Sequence, residues 1–161
     1  MVKSLILVLL AGSQLVPLSG PAPLAAEMNG YSIVARLSEV VHSRRQGTFD
    51  LDWTAKIYVS NKGRIFAQHD LKSSDSDRNN NHMMAPEDQG QRSSTSFRWS
   101  GANLTRSWTG RNGNHVTQTI LITPSANGYS CRMLIERSRG RASVVSQSCQ
   151  VTRGNVLAGA T

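Results

Sequence analysis

The chain holds two cysteines, Cys131 and Cys149, placed symmetrically about Gly140. A turn centred on that glycine faces Tyr129 with Val151, Cys131 with Cys149, Met133 with Gln147 and Ile135 with Val145. Side chains alternate across a strand, so these eight residues share one face. One register thus unites the cysteines and most of the nearby apolar residues, and it predicts an antiparallel hairpin clamped by a disulfide. On the chain-entropy view a cross-link over so short a loop stabilises by roughly 3 kcal/mol. A catalytic dithiol would be spaced C-x-x-C, a motif this chain lacks.

The same alternation runs through much of the chain. Tyr31, Ile33, Ala35 and Leu37 form the apolar side of a first strand, with Val34 and Val40 as irregularities. Phe49, Leu51, Trp53, Ala55, Ile57 and Val59 alternate without a break. Asn61-Lys62-Gly63 then suits a short hairpin loop with glycine in the left-handed position. That turn pairs Val59 with Ile65, Ile57 with Ala67 and Trp53 with Leu71, and it leaves Tyr58 opposite Phe66 on the other face. The stretch 73–94 has no periodicity and almost no apolar content, so it reads as a disordered loop. Asp75, Asp77, Asn79 and Asn81 alternate there like calcium ligands, but Asn80 and Pro86 stand where a calcium loop needs glycine and glutamate. His82-Met83-Met84 are soft donors, yet adjacent residues alone make no copper site.

In the second half, Phe97 and Trp99 share a strand face, and Leu104, Arg106 and Trp108 share the next. Asn112-Gly113 is a hairpin signal that allows two registers, Leu104 facing Leu121 or, with a bulge, Ile122. Asn127-Gly128 turns the chain again and sets Ile122 against Met133 and Ile120 against Ile135. The strands expected are 31–41, 48–60, 64–71, 94–99, 103–109, 115–122, 129–137 and 143–152. With no useful helical period, the class is all-β: an antiparallel up-and-down meander of about eight strands closing into a small barrel, with a two-sheet β-sandwich as the alternative. The tail from Gly154 has no pairing partner and is expected to fray.

The N-terminus combines Lys3, an apolar run from Leu5 to Ala11 and small residues ending at Ala25 and Ala26, the pattern of a signal peptide over residues 1–26. The run is far short of the roughly 20 residues that span a bilayer. Residues 27–161 are enough for a single domain. A cysteine pair in an exported chain is most simply one disulfide, which fits a periplasmic or secreted location.

Charge is uneven. The net +8 comes wholly from residues 91–161, where nine arginines face one acid, Glu136. Arginine grips carboxylate and phosphate bidentately and stacks on rings, so the partner suggested is an anionic ligand or surface. The anion-binding candidates are Arg98, Arg106, Arg132, Arg137, Arg139 and Arg141, with Trp108 as the ring on which a ligand would stack. Arg137, Arg139 and Arg141 crowd the tip around Gly140. Nucleic acid is compatible with the charge, but no nucleic-acid motif is present.

WTAKIYVSNKGRIF, residues 53–66, and SCQVTRGN, residues 148–155, resemble an uncharacterised family of small exported bacterial proteins. The resemblance implies export and paired cysteines and lends no activity. The eight-strand meander is also similar in outline to avidin-like and lipocalin barrels, although the lipocalin G-x-W on the first strand is missing.

No nucleophile elbow, zinc-protease helix, phosphate loop or dinucleotide fingerprint occurs. His42, His69, His82 and His115 lie far apart, and His69 and Asp70 point to opposite faces of their strand. No paired carboxylates suggest glycoside hydrolysis. The expectation is therefore a non-enzymatic protein without cofactor or metal. It binds an anionic ligand through an arginine-rich face, or alternatively serves as a structural protein of the cell envelope that docks a protein partner. A secreted hydrolase is the weaker third reading.

Overall fold

The computed structural model describes residues 24–44, 47–74, 87–88, 97–109 and 113–158. Among these residues a four-residue helix α1 (Leu24–Glu27) precedes nine antiparallel strands: β1 (Tyr31–Ser43), β2 (Gly47–Val59), β3 (Ile65–Ser73), β4 (Glu87–Asp88), β5 (Arg98–Ser100), β6 (Asn103–Thr109), β7 (His115–Ser125), β8 (Gly128–Arg137) and β9 (Arg141–Arg153). They form two sheets, ordered β4-β3-β2-β1-β9 and β5-β6-β7-β8. The class is all-β, as the alternation requires. The barrel is not formed: among the described residues β8 borders only β7 and β9 borders only β1, so the two sheets are not closed on each other and the architecture is a sandwich.

This changes the meaning of the disulfide. Cys131 and Cys149 are joined, with Cα atoms 5.4 Å apart, but β8 and β9 share no ladder. The bond ties one sheet to the other instead of clamping two paired strands. The expected ladder pairings of Tyr129 with Val151, Met133 with Gln147 and Ile135 with Val145 are therefore absent, and β9 is irregular besides. β9 carries an extra residue where Ser38 pairs with Ser146 and Glu39 with Val144. Val145 is 67% and Val144 60% exposed, within a run from Arg141 to Ser148 that is exposed on both faces.

The β2–β3 hairpin has the expected register: Val59 faces Ile65, Ile57 faces Ala67, Trp53 faces Leu71 and Tyr58 faces Phe66. Gly63 turns it at φ 75°, in the region that favours glycine. Two other registers differ from expectation. Leu104 faces Ile120, not Leu121 or Ile122, because the β6–β7 connection runs from Thr109 to His115 and is longer than a two-residue turn. Ile120 faces Met133, and Ile122 faces Cys131, because the β7–β8 turn lies at residues 126–127, one residue earlier than Asn127-Gly128. That shift moves each partner by two residues, so the apolar side chains keep their face.

Between the sheets, Ile33, Ala35, Ile57, Val59, Leu104 and Ile120 are fully buried. One end of this core is plugged by helix α1 and the turn after it, from which Leu24 and Met28 pack into the same cluster. Met28 is 0% exposed, a burial that stabilises by roughly 1.5–3 kcal/mol. The tail closes the same end. Ser32 Oγ donates to the Gly154 carbonyl at 2.5 Å and accepts from the Val156 N–H at 2.9 Å, while Leu157 is buried. Residues 154–158 therefore dock where fraying was expected: the buried hydroxyl of Ser32 supplies partners that no strand pattern reveals. Of the loop expected over 73–94, Ser73 belongs to β3 and Glu87–Asp88 pair with it. The calcium and copper readings, and residues 1–23 of the expected leader, lie outside the described residues, while residues 24–26 of that leader form helix α1 with Glu27. Among the described residues, no helix is long and apolar enough to cross a membrane.

Candidate binding site between the sheets

At the end opposite the helical plug, the inward faces become polar and aromatic. Glu39 on β1 continues the buried side of Ile33, Ala35 and Leu37 and is 3% exposed. On β3, His69 continues the side of Ile65 and Ala67. On β6, Arg106 lies between Leu104 and Trp108, and β7 places Gln118 opposite it. On β8, Arg137 follows Met133 and Ile135. Strand parity therefore aims five polar side chains into the sandwich from five different strands.

These side chains hold one another. Arg106 Nε donates to Gln118 Oε1 at 2.6 Å, and Gln118 Nε2 lies 2.7 Å from Met133 Sδ. The Arg106 guanidinium sits 4.5 Å from the Trp108 ring centre and 5.3 Å from that of Phe97. Trp108 lies 5.8 Å from Trp53, and His69 leans against both rings at 5.6 and 6.4 Å. The Trp53 indole N–H donates to Glu39 Oε1 at 2.7 Å. The same carboxylate pairs with Arg137, whose guanidinium lies 5.9 Å from the Trp53 ring. A continuous row thus runs from Arg106 through Trp108 and Trp53 to Arg137 and Glu39, crossing from one sheet to the other.

Burial sets the electrostatics. It pushes Arg137 down to about 10, still well above neutral, so the guanidinium stays charged at pH 7. Glu39 neutralises it inside the protein, where an unpaired charge would be costly. Arg106 is 5% exposed, and its π contacts with Phe97 and Trp108 suit a weakly hydrated guanidinium better than an ammonium. Trp108 is only half-buried, so the row reaches solvent at its edge.

The six candidate arginines fall into three places. Arg106 and Arg137 point inward to this site. Arg98 and Arg132 are exposed on the outer face of the second sheet. Arg139 and Arg141 are exposed at the tip around Gly140, where the Arg139 N–H donates to Asn114 Oδ1 at 3.0 Å. The stacking candidate Trp108 is in contact with Arg106. Glu39, Trp53, His69 and Gln118 complete the cluster and were not among the candidates. Glu39 and Gln118 were legible through parity alone, since each lies an even number of residues from buried apolar neighbours.

Chemically, the arrangement offers a guanidinium fixed in orientation beside aromatic rings, which suits recognition of a planar or oxyanion-bearing group. Among the described residues no group of three or more His, Cys, Asp or Glu could hold a metal ion. Comparison with known proteins finds no matching family model, no matching curated protein and no matching solved structure.

Proposed function

We propose that this protein is a non-enzymatic binding domain of an oxidising, extracytoplasmic compartment, and that it takes a small planar anion at the Arg106 end of the sandwich. One observation carries this reading: a buried guanidinium held by Gln118 Oε1 and seated against two rings, one of which reaches solvent. Fixing the donor in advance lowers the ordering cost of binding. The leader-like N-terminus and the formed disulfide support the compartment.

Tryptophan fluorescence tests it, because Trp108 adjoins the guanidinium and Trp53 lies against Trp108. Benzoate is the probe and benzamide its neutral counterpart. Benzoate is expected to change the emission saturably, benzamide about tenfold more weakly, and Arg106→Gln to abolish the difference. Equal responses to the two compounds in the wild type would overturn the proposal.

A second reading rests on the outer face of the first sheet. Tyr58 and Phe66 stack there at 6.4 Å, with Arg64 5.6 Å above Phe66. This suits an envelope protein that docks a partner protein. It expects Tyr58→Ser with Phe66→Ser to abolish capture of the partner while leaving the benzoate response intact.

A further inference from the structure

The outer face of the second sheet has a composition that the interior site does not explain. Across β6, β7 and β8, three outward pairs join hydroxyl to hydroxyl, Ser107 with Thr117, Thr105 with Thr119, and Thr123 with Ser130, while Leu121, Leu134 and one carboxylate, Glu136 opposite Thr117, share the face. Ser107 and Thr117 are in hydrogen-bond contact at 2.9 Å. Along these three pairs the side chains are short. Two exposed arginines border it, Arg98 on the edge strand β5 and Arg132 on the opposite edge strand β8. Beside Arg132 the face dips into a depression of about 320 Å³, walled by Asn103, Leu121, Thr123 and Ser130.

We infer that this face is a docking surface for an acidic polysaccharide. Hydroxyls both donate and accept, so a grid of them matches the ring hydroxyls of a sugar chain without demanding one orientation. Leu121 in the depression and Leu134 beside Thr119, 37% exposed, offer apolar surface to the C–H faces of the rings. The arginines meet the carboxylates of the chain bidentately. Arg98 pairs with Thr105, and Arg132 lies opposite Leu121, one row further along. Three strand spacings and one row put the two about 16 Å apart. No single sugar ring bridges that span, so the fitting partner is a polymer. Nucleic acid fits less well: its unpaired bases need stacking platforms, and Trp53, Phe97 and Trp108 all face the interior.

The test is affinity electrophoresis in gels containing polygalacturonate, or dextran as the neutral control, at physiological ionic strength. Polygalacturonate should retard the wild-type protein and dextran should not. Arg98→Glu with Arg132→Glu should weaken retardation about tenfold, while Arg139→Glu with Arg141→Glu, the same charge change at the hairpin tip, should leave it near the wild-type value. Thr119→Tyr, which roughens the face without altering charge, should also weaken it. No retardation of the wild type would overturn the inference. So would equal losses from the two double variants, an unaffected Thr119→Tyr protein, or equally strong displacement by duplex DNA. Benzoate should not compete, which keeps this result separate from that of the interior site.

Discussion

Replacing Glu39 by glutamine is the sharpest test of how the sandwich tolerates charge in its interior. Glu39 is 3% exposed, and the Arg137 side chain it pairs with is 8% exposed. The amide keeps the volume and can still accept from the Trp53 indole, so the change removes little besides the negative charge. Burial lowers Arg137 only to about 10, so at pH 7 it stays protonated and is left as an uncompensated buried cation. Removing one member of such a pair costs about 3–5 kcal/mol. For a domain of this size that corresponds to a loss of roughly 10–15 °C in Tm. Urea unfolding at pH 7 measures it. Adding Arg137→Met to Glu39→Gln should recover most of the loss, because the orphaned charge disappears with its desolvation cost. A single-variant cost below about 1 kcal/mol would refute this reasoning. A double variant no more stable than the single would do the same.

Three further outcomes follow from other parts of the fold. Cys131→Ser with Cys149→Ser should lower stability by roughly 3 kcal/mol, and intact mass of the wild type should show the two-proton deficit of a closed disulfide. Ser32→Ala removes a buried hydroxyl that serves both Gly154 and Val156; it should cost about 1–3 kcal/mol and raise hydrogen exchange at the Val156 amide. Tyr129 ionises above the usual tyrosine value, through desolvation and the hydrogen bond it donates to Glu27. The folded state therefore holds this proton more tightly than the unfolded state. The stabilisation is complete below the unfolded value of about 10 and fades as pH rises through the folded one, so Tyr129→Phe should flatten that alkaline slope in thermal unfolding.

How much of this was legible in the sequence depended on whether two local signals agreed. At β2–β3, unbroken alternation and the glycine turn pointed to one register, and that register is found. At β6–β7, Asn112-Gly113 suggested a tight turn, whereas the connection is longer and places Leu104 opposite Ile120. The choice among neighbouring registers was decided by which apolar sets share the interior, a tertiary matter. The cysteine pairing was readable from symmetry, but its role between sheets was not, because β9 turns away from β8 to pair with β1. The interior site was half visible. Arg106 shares a strand face with Leu104 and Trp108, whereas its charge alone groups it with Arg98 and Arg132. Glu39 escaped notice because only its partner on β8, ninety-eight positions away, makes its burial tolerable. Helix α1 and the docked tail carry no periodic signal, and their burial is evident only once the sandwich end they cover exists.

The most direct test of the central claim is a two-dimensional nitrogen–proton NMR titration of the uniformly labelled protein with benzoate, read at the tryptophan indole and arginine Nε signals. The account predicts saturable shifts at Trp108, Trp53 and Arg106, which share the end opposite the helical plug, and unchanged signals at Arg98, Arg132 and Arg141. Shifts spread evenly over the exposed arginines, with the indole signals of Trp53 and Trp108 unmoved, would contradict it.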